Sequence, residues 1–263
     1  MLSLGISPVV RRSAVVAGVI ISAAACSDEA TAPKAGPRVP ESISAIGNPD
    51  LGKAAIVSPV VDGKIGQGEY SGAAAVKFTA TLPPTIFGPG QTPVVVYVQH
   101  DQKYLYIATV FDRKAPFHPN DLVGFEFDLD NDGITENGDD VLVVGASGTQ
   151  NVVYPGADFY RWNNGVSNQS DAATGGTIDA ISSWGAIGTK GTFEIRQPLN
   201  SADDAHDMSI DLSTGPKTIG MRIAMALEAG AVGSGNNVWT FKPGQTTFCQ
   251  LSLSKYSVNV TCP

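Results

Sequence analysis

Ile219-Gly220-Met221-Arg222-Ile223-Ala224-Met225-Ala226-Leu227 places its large apolar side chains at every second position, with Gly220, Arg222, Ala224 and Ala226 between them. Side chains of an extended chain alternate between two faces, so a period of two describes a strand with one face buried. Upstream, Val94-Val95-Val96-Tyr97-Val98 and the stretch from Lys103 to Phe111 are β-branched and aromatic. His100-Asp101-Gln102 between them reads as a tight turn, which predicts a hairpin. Leu122 to Leu129 gives another strand, with Val141 to Gly145 as its partner. Gln150 to Tyr154, Phe159 to Trp162 and Thr192 to Arg196 are shorter strands, and Phe248 to Leu253 and Tyr256 to Val260 two more. The expected architecture is all-β: an antiparallel sandwich of about ten strands over residues 60–263, without a helix of three turns.

The N-terminus speaks to location. Arg11 and Arg12 precede an apolar run from Ala14 to Ala25, the layout of an export signal. At twelve residues the run is shorter than the ~20 a spanning helix needs. It ends in Ser22-Ala23-Ala24-Ala25-Cys26, which resembles a bacterial lipobox, with Ala23 where Leu is usual. The resemblance implies a signal peptide over residues 1–25 and acylation of Cys26, so that the partner of this end is a lipid bilayer of the cell envelope. Each acyl chain contributes ~0.8 kcal/mol per buried methylene. An ordinary secretory leader is the alternative. Residues 26–59, with Pro33, Pro37, Pro40 and Pro49 and no aromatic residue, read as a flexible tether.

Loss of the leader leaves 15 Lys and Arg against 25 Asp and Glu, a net charge of about −10. That balance opposes nucleic acid as a partner, since phosphate binding needs clustered basic residues. Lipidation of Cys26 would leave Cys249 and Cys262, which an oxidising compartment allows to pair.

Several segments, in order, resemble one domain family. These are Val61-Asp62-Gly63 with Gly68-Glu69-Tyr70, Asp101 to Ile107, Leu122 to Asp132, Phe193-Glu194-Ile195-Arg196-Gln197-Pro198-Leu199, and Thr218 to Met225. They are similar to the family shared by family 9 carbohydrate-binding modules, DOMON domains and the haem-binding subunit of ethylbenzene dehydrogenase. The resemblance implies a jelly-roll-like sandwich and leaves the ligand open between a glycan, haem and none.

The most specific local signal runs from Asp128 to Asp140. Asp128, Asp130 and Asp132 alternate, Gly133 permits a sharp turn, and Asp139 stands twelfth. A hard cation takes six to eight oxygen ligands. The spacing therefore predicts a structural Ca²⁺ turn with ligands from Asp128, Asp130, Asp132, the Ile134 backbone and Asp139. The alternative is an acidic solvated loop. For a glycan, aromatic platforms are sought at Tyr160, Trp162, Trp184 and Trp239, each of which also suits core packing. Haem b, as an alternative cofactor, would use His206 and Met208, whereas Met221 and Met225 fit the apolar face of their strand. No G-x-S-x-G, H-E-x-x-H or phosphate loop is found, and His100, His118 and His206 are scattered. His100 and His118 are expected in surface loops. The function read from sequence is a non-catalytic extracytoplasmic binding lipoprotein facing the periplasm or the exterior. Its partner would be a glycan, or a cell-envelope protein if the domain is structural.

Overall fold

The computed structural model describes residues 58–85, 88–112, 117, 119, 121–162, 167–226 and 248–262. The leader, Cys26, the tether up to residue 57, His118 and Trp239 lie outside them, as do the side chains of Tyr160 and Trp162. The strands are β1 (Ala74–Thr85), β2 (Gly88–His100), β3 (Tyr104–Asp112), β4 (Leu122–Asp128), β5 (Asp140–Gly145), β6 (Tyr154–Pro155) and β7 (Ala157–Trp162). After β8 (Ser167–Ser170) comes a single helical turn, α1 (Asp171–Thr174). The remaining strands are β9 (Ile181–Ile187), β10 (Lys190–Pro198), β11 (Lys217–Ala226), β12 (Cys249–Ser254) and β13 (Ser257–Thr261).

One sheet has the order β1-β2-β3-β10-β9-β6 and the other β13-β12-β11-β4-β5-β7-β8. All pairings among the described residues are antiparallel. The fold is therefore the expected all-β sandwich, with thirteen strands among the described residues where about ten were read. The additions are β1, β8 and β9. β1 is rich in Ala and Thr, β8 is Ser-Asn-Gln-Ser, and β9 is Ile-Ser-Ser-Trp-Gly-Ala-Ile. β8 and β9 do not alternate apolar with polar, and their neighbours place them, whereas β1 does alternate over Val76-Lys77-Phe78-Thr79-Ala80-Thr81-Leu82 and carries a period-two signal of its own.

The core lies between the sheets. Val94, Val96 and Val98 of β2 and Leu105 and Ile107 of β3 meet Val123, Phe125 and Phe127 of β4 there. Ile219, Met221 and Met225 enter from β11, so the period-two reading of that strand selects its inward face. Phe117 packs edge-on against Phe111, Trp184 and Phe193.

The outer face of the six-stranded sheet is also dry. Val61 and Tyr70 cover Tyr106 and Ala108, which is why β3 is buried on both sides. Glu194 on β10 fastens this cover. Its Oε2 accepts the N–H groups of Asp62 and Gly63, and its Oε1 accepts the Tyr70 hydroxyl. Two segments read as separate motifs, Asp62-Gly63 with Tyr70 and Glu194 to Leu199, thus meet in one contact. Gly63 has φ +81°, and a Cβ there would lie 2.5 Å from the Trp184 carbonyl, so only glycine fits.

His100 corrects the expectation of a surface position. It is buried at the end of β2; Nδ1 accepts the Gln102 N–H, and Nε2 lies 3.1 Å from the Ser257 carbonyl. With Nδ1 accepting, Nε2 carries the proton and donates, joining the β2–β3 turn to β13.

Cys249 and Cys262 form a disulfide that closes the β12–β13 hairpin. With a separation of 13 residues, the loop-closure model assigns it about 3 kcal/mol. Cys249→Ser/Cys262→Ser should lower the thermal midpoint by several degrees, and dithiothreitol should do the same to the unaltered chain only. An unchanged midpoint would mean the hairpin needs no covalent tie.

Candidate metal centre

Two acidic clusters meet at the start of β5. Asp139 and Asp140 are consecutive in an extended chain and so point to opposite faces. Asp139 turns toward the β4–β5 connection, and Asp140 toward the space between the sheets.

In the connection, one carboxylate oxygen each from Asp128, Asp130 and Asp132 lies within 4.8 Å of the others. The expected alternation thus gathers the three side chains at one point. The turn is pre-formed by its own acids: Asp128 accepts the N–H groups of Asp132 and Gly133, and Asp132 accepts that of Ile134. Asn131 at φ 61° and Gly133 at φ 85° carry the left-handed bend. Asp128 is fully buried and pushed above the usual carboxylate range by that burial, with its bond from Gly133 opposing the shift. Asp139, expected as the twelfth-position ligand, is not in the group of three. It is buried with Oδ2 on the Glu136 N–H, and burial, then the charges of Asp128 and Glu126, lift it to about 7. The Ile134 side chain is exposed beside the turn. Beneath it, Arg222 of β11 donates through Nε and Nη2 to Glu126, and through Nη2 to the Thr135 hydroxyl.

The second cluster has no sequence signature. Asp158 on β7, Asp171 at the start of α1 and Asp207 in the β10–β11 connection bring one carboxylate oxygen each within 4.8 Å of one another. All three are buried. Asp140 pairs across the sheet with Phe127, a core residue, and so shares its inward face. Its Oδ2 accepts the Met208 N–H, at 3.2 Å. Gln197 reaches in from the opposite sheet and donates Nε2–H to Asp207. Desolvation raises all four carboxyls, Asp158 to about 7 and Asp171 to about 8, and mutual repulsion adds to it for Asp140, Asp158 and Asp171. These residues come from four separate elements, so no spacing rule joins them; the only local hint was an acid inside a strand.

The other expected residues fall in different surroundings. Trp184 is in the core, 6% exposed, with its indole N–H on the Ser147 carbonyl, so it offers no surface platform. Tyr160 pairs with Asp140 in register, and Trp162 lies two residues further along β7, beyond the start of β5. Met208 is packed in the core, in the cluster that also holds Met221 and Met225, while His206 bonds Asp203 through Nδ1 at 2.7 Å. The carboxylate of Asp203 is held below its ordinary range by that bond. The Met208 sulfur is thus among hydrocarbon, and His206 Nδ1 is taken by a carboxylate.

No family model matches the chain, and none of the curated proteins does. Among solved structures it is similar to a carbohydrate binding module family 9 from Caldicellulosiruptor kristjanssonii in complex with cellotriose. The identity is 14% and the TM-score 0.43, over 66% of this chain and 74% of that chain.

Proposed function

We propose that this chain is a non-catalytic binding domain held outside the cytoplasm by an acylated Cys26, with a Ca²⁺ ion in the Asp128–Asp132 turn and a glycan as its ligand on the adjoining rim. The observation that carries this reading is the meeting of three carboxylates in a turn that β7 borders. The register sets Tyr160 against Asp140 and carries Trp162 past the start of β5. A cation there would offset the repulsion of the three acids and stiffen the rim that a sugar would touch. An aromatic side chain beside polar groups is what stacks on a sugar ring and bonds its hydroxyls. The disulfide is consistent with an oxidising compartment.

Calorimetry of the full chain in detergent should show Ca²⁺ uptake of which one component disappears in Asp130→Ala. Affinity electrophoresis through a panel of soluble polysaccharides should show retardation that weakens in Trp162→Ala and in chelator. Equal mobility in every polysaccharide, with and without Ca²⁺, would remove the glycan. Unchanged uptake by Asp130→Ala would remove the turn site.

A further inference from the structure

The space between the sheets at the start of β5 gathers four carboxyls that no cation of the described residues answers. Among the described residues the ion pairs join Lys190 to Asp112, His206 to Asp203 and Arg222 to Glu126, and none reaches Asp140, Asp158, Asp171 or Asp207. Six buried oxygens there meet no N–H or hydroxyl donor: Asp140 Oδ1, Asp158 Oδ1, both oxygens of Asp171, Asp207 Oδ2 and Gln197 Oε1, with the Asp171 and Asp207 carboxyls facing each other. Buried polar atoms are nearly always paired, because an unmet one costs its full desolvation. Six in one place require an occupant. Gln197 is the independent witness, since it is neutral, 0% exposed and brought in by the opposite sheet, with its amide nitrogen already on Asp207.

We propose that Asp140, Asp158, Asp171, Asp207 and the Gln197 amide oxygen form a second, buried divalent-cation site of Ca²⁺ type, distinct from the exposed turn. The donor chemistry chooses the ion. All the donors are hard oxygens, and no thiolate or imidazole belongs to the group, which disfavours a transition metal. Ca²⁺ takes six to eight oxygens with tolerant geometry, whereas Mg²⁺ demands an octahedron and keeps several waters. A dry space with six unmet oxygens suits the larger ion. Such an ion would link β5, β7, α1, the β10–β11 connection and, through Gln197, the second sheet. This site stands on its own geometry and does not depend on the glycan or on the turn.

The test is native mass spectrometry and thermal unfolding of the full chain in detergent, stripped with chelator and titrated with CaCl₂. Asp130→Ala silences the turn, and that variant should still take up one Ca²⁺ and melt higher for it. Asp130→Ala/Asp171→Asn should take up none, and CaCl₂ should leave its midpoint where it is. In chelator, at a pH above the value of about 8 to which Asp171 is lifted, Asp171→Asn should melt above the unaltered chain, because one repelling charge is gone. If the Asp171 variant does not fold, Asp207→Asn replaces it, and uptake by Asp130→Ala alone still decides. No Ca²⁺ on Asp130→Ala would overturn the proposal and leave shared protons as the occupants of the cluster. One Ca²⁺ retained by the double variant would overturn it equally. Failure of the turn is read separately, as equal stoichiometry in the unaltered chain and in Asp130→Ala.

Discussion

Arg222→Met should destabilise the domain by about 3–5 kcal/mol, the cost of leaving one partner of a buried ion pair without the other. Glu126 is 0% exposed on the outer face of β4, under the acidic turn, and Arg222 meets it from β11 through Nε and Nη2. The same guanidinium donates to Thr135, and its carbon lies 4.9 Å from the centre of the Phe248 ring. Methionine keeps the length of the side chain and loses the charge. Glu126 would then keep the neighbouring carboxyls of Asp128 and Asp139 without the Arg222 guanidinium. At ~2–4 °C per kcal/mol for a domain of this size, the thermal midpoint should fall by roughly 10 °C. Replacing both partners, as Glu126→Gln/Arg222→Met, should recover most of that loss, because no uncompensated charge stays behind. A double variant as unstable as the single one would show that the pair is held for its packing and not its charge.

Glu194→Ala should cost about 3 kcal/mol. It strands the Gly63 N–H and the Tyr70 hydroxyl in a dry place and frees the segment that covers β3. Hydrogen exchange should then speed up in residues 60–73 before the rest of the sandwich. The isosteric Glu194→Gln separates the hydrogen bonds from the charge. Its oxygen still accepts the two backbone N–H groups, and its NH₂ can donate to the Tyr70 oxygen. Burial lifts the Glu194 carboxyl from 4.5 to about 7, against the pull of the Gly63 and Asp62 N–H groups. The folded state thus holds a proton that the unfolded chain has released between these two values. Its contribution to stability is complete below about 4.5 and is lost as pH rises through about 7. Between pH 5 and 8 the unaltered chain should therefore lose stability relative to Glu194→Gln, as read from urea unfolding midpoints. Parallel pH profiles for the two would contradict it.

How much of this could be read from sequence follows from how local each cause is. The β11 alternation, the β2–β3 hairpin, the Asp128–Asp132 turn and the cysteine pair each rest on residues close in the chain, and each is found where it was expected. β9 was not read because Ser182 and Ser183 are buried in it by the strands on either side, with no alternation to announce them. The role of Glu194 depends on a partner more than 120 residues away. Asp158, Asp171 and Asp207 meet only because β7, α1 and the β10–β11 connection converge between the sheets. Aromatic residues were the least legible, since an indole suits a core and a platform equally well, and Trp184 serves the core.

Thermal unfolding of the full chain in 1 mM CaCl₂ against EDTA tests most directly whether a cation belongs to the folded state. A ligand at 100 times its dissociation constant adds ~2.7 kcal/mol. The midpoint in CaCl₂ should accordingly lie about 5–10 °C above that in EDTA. Superimposable transitions would show that both acidic clusters are folded without an ion, and would contradict the reading of this sandwich as a calcium-loaded binding domain.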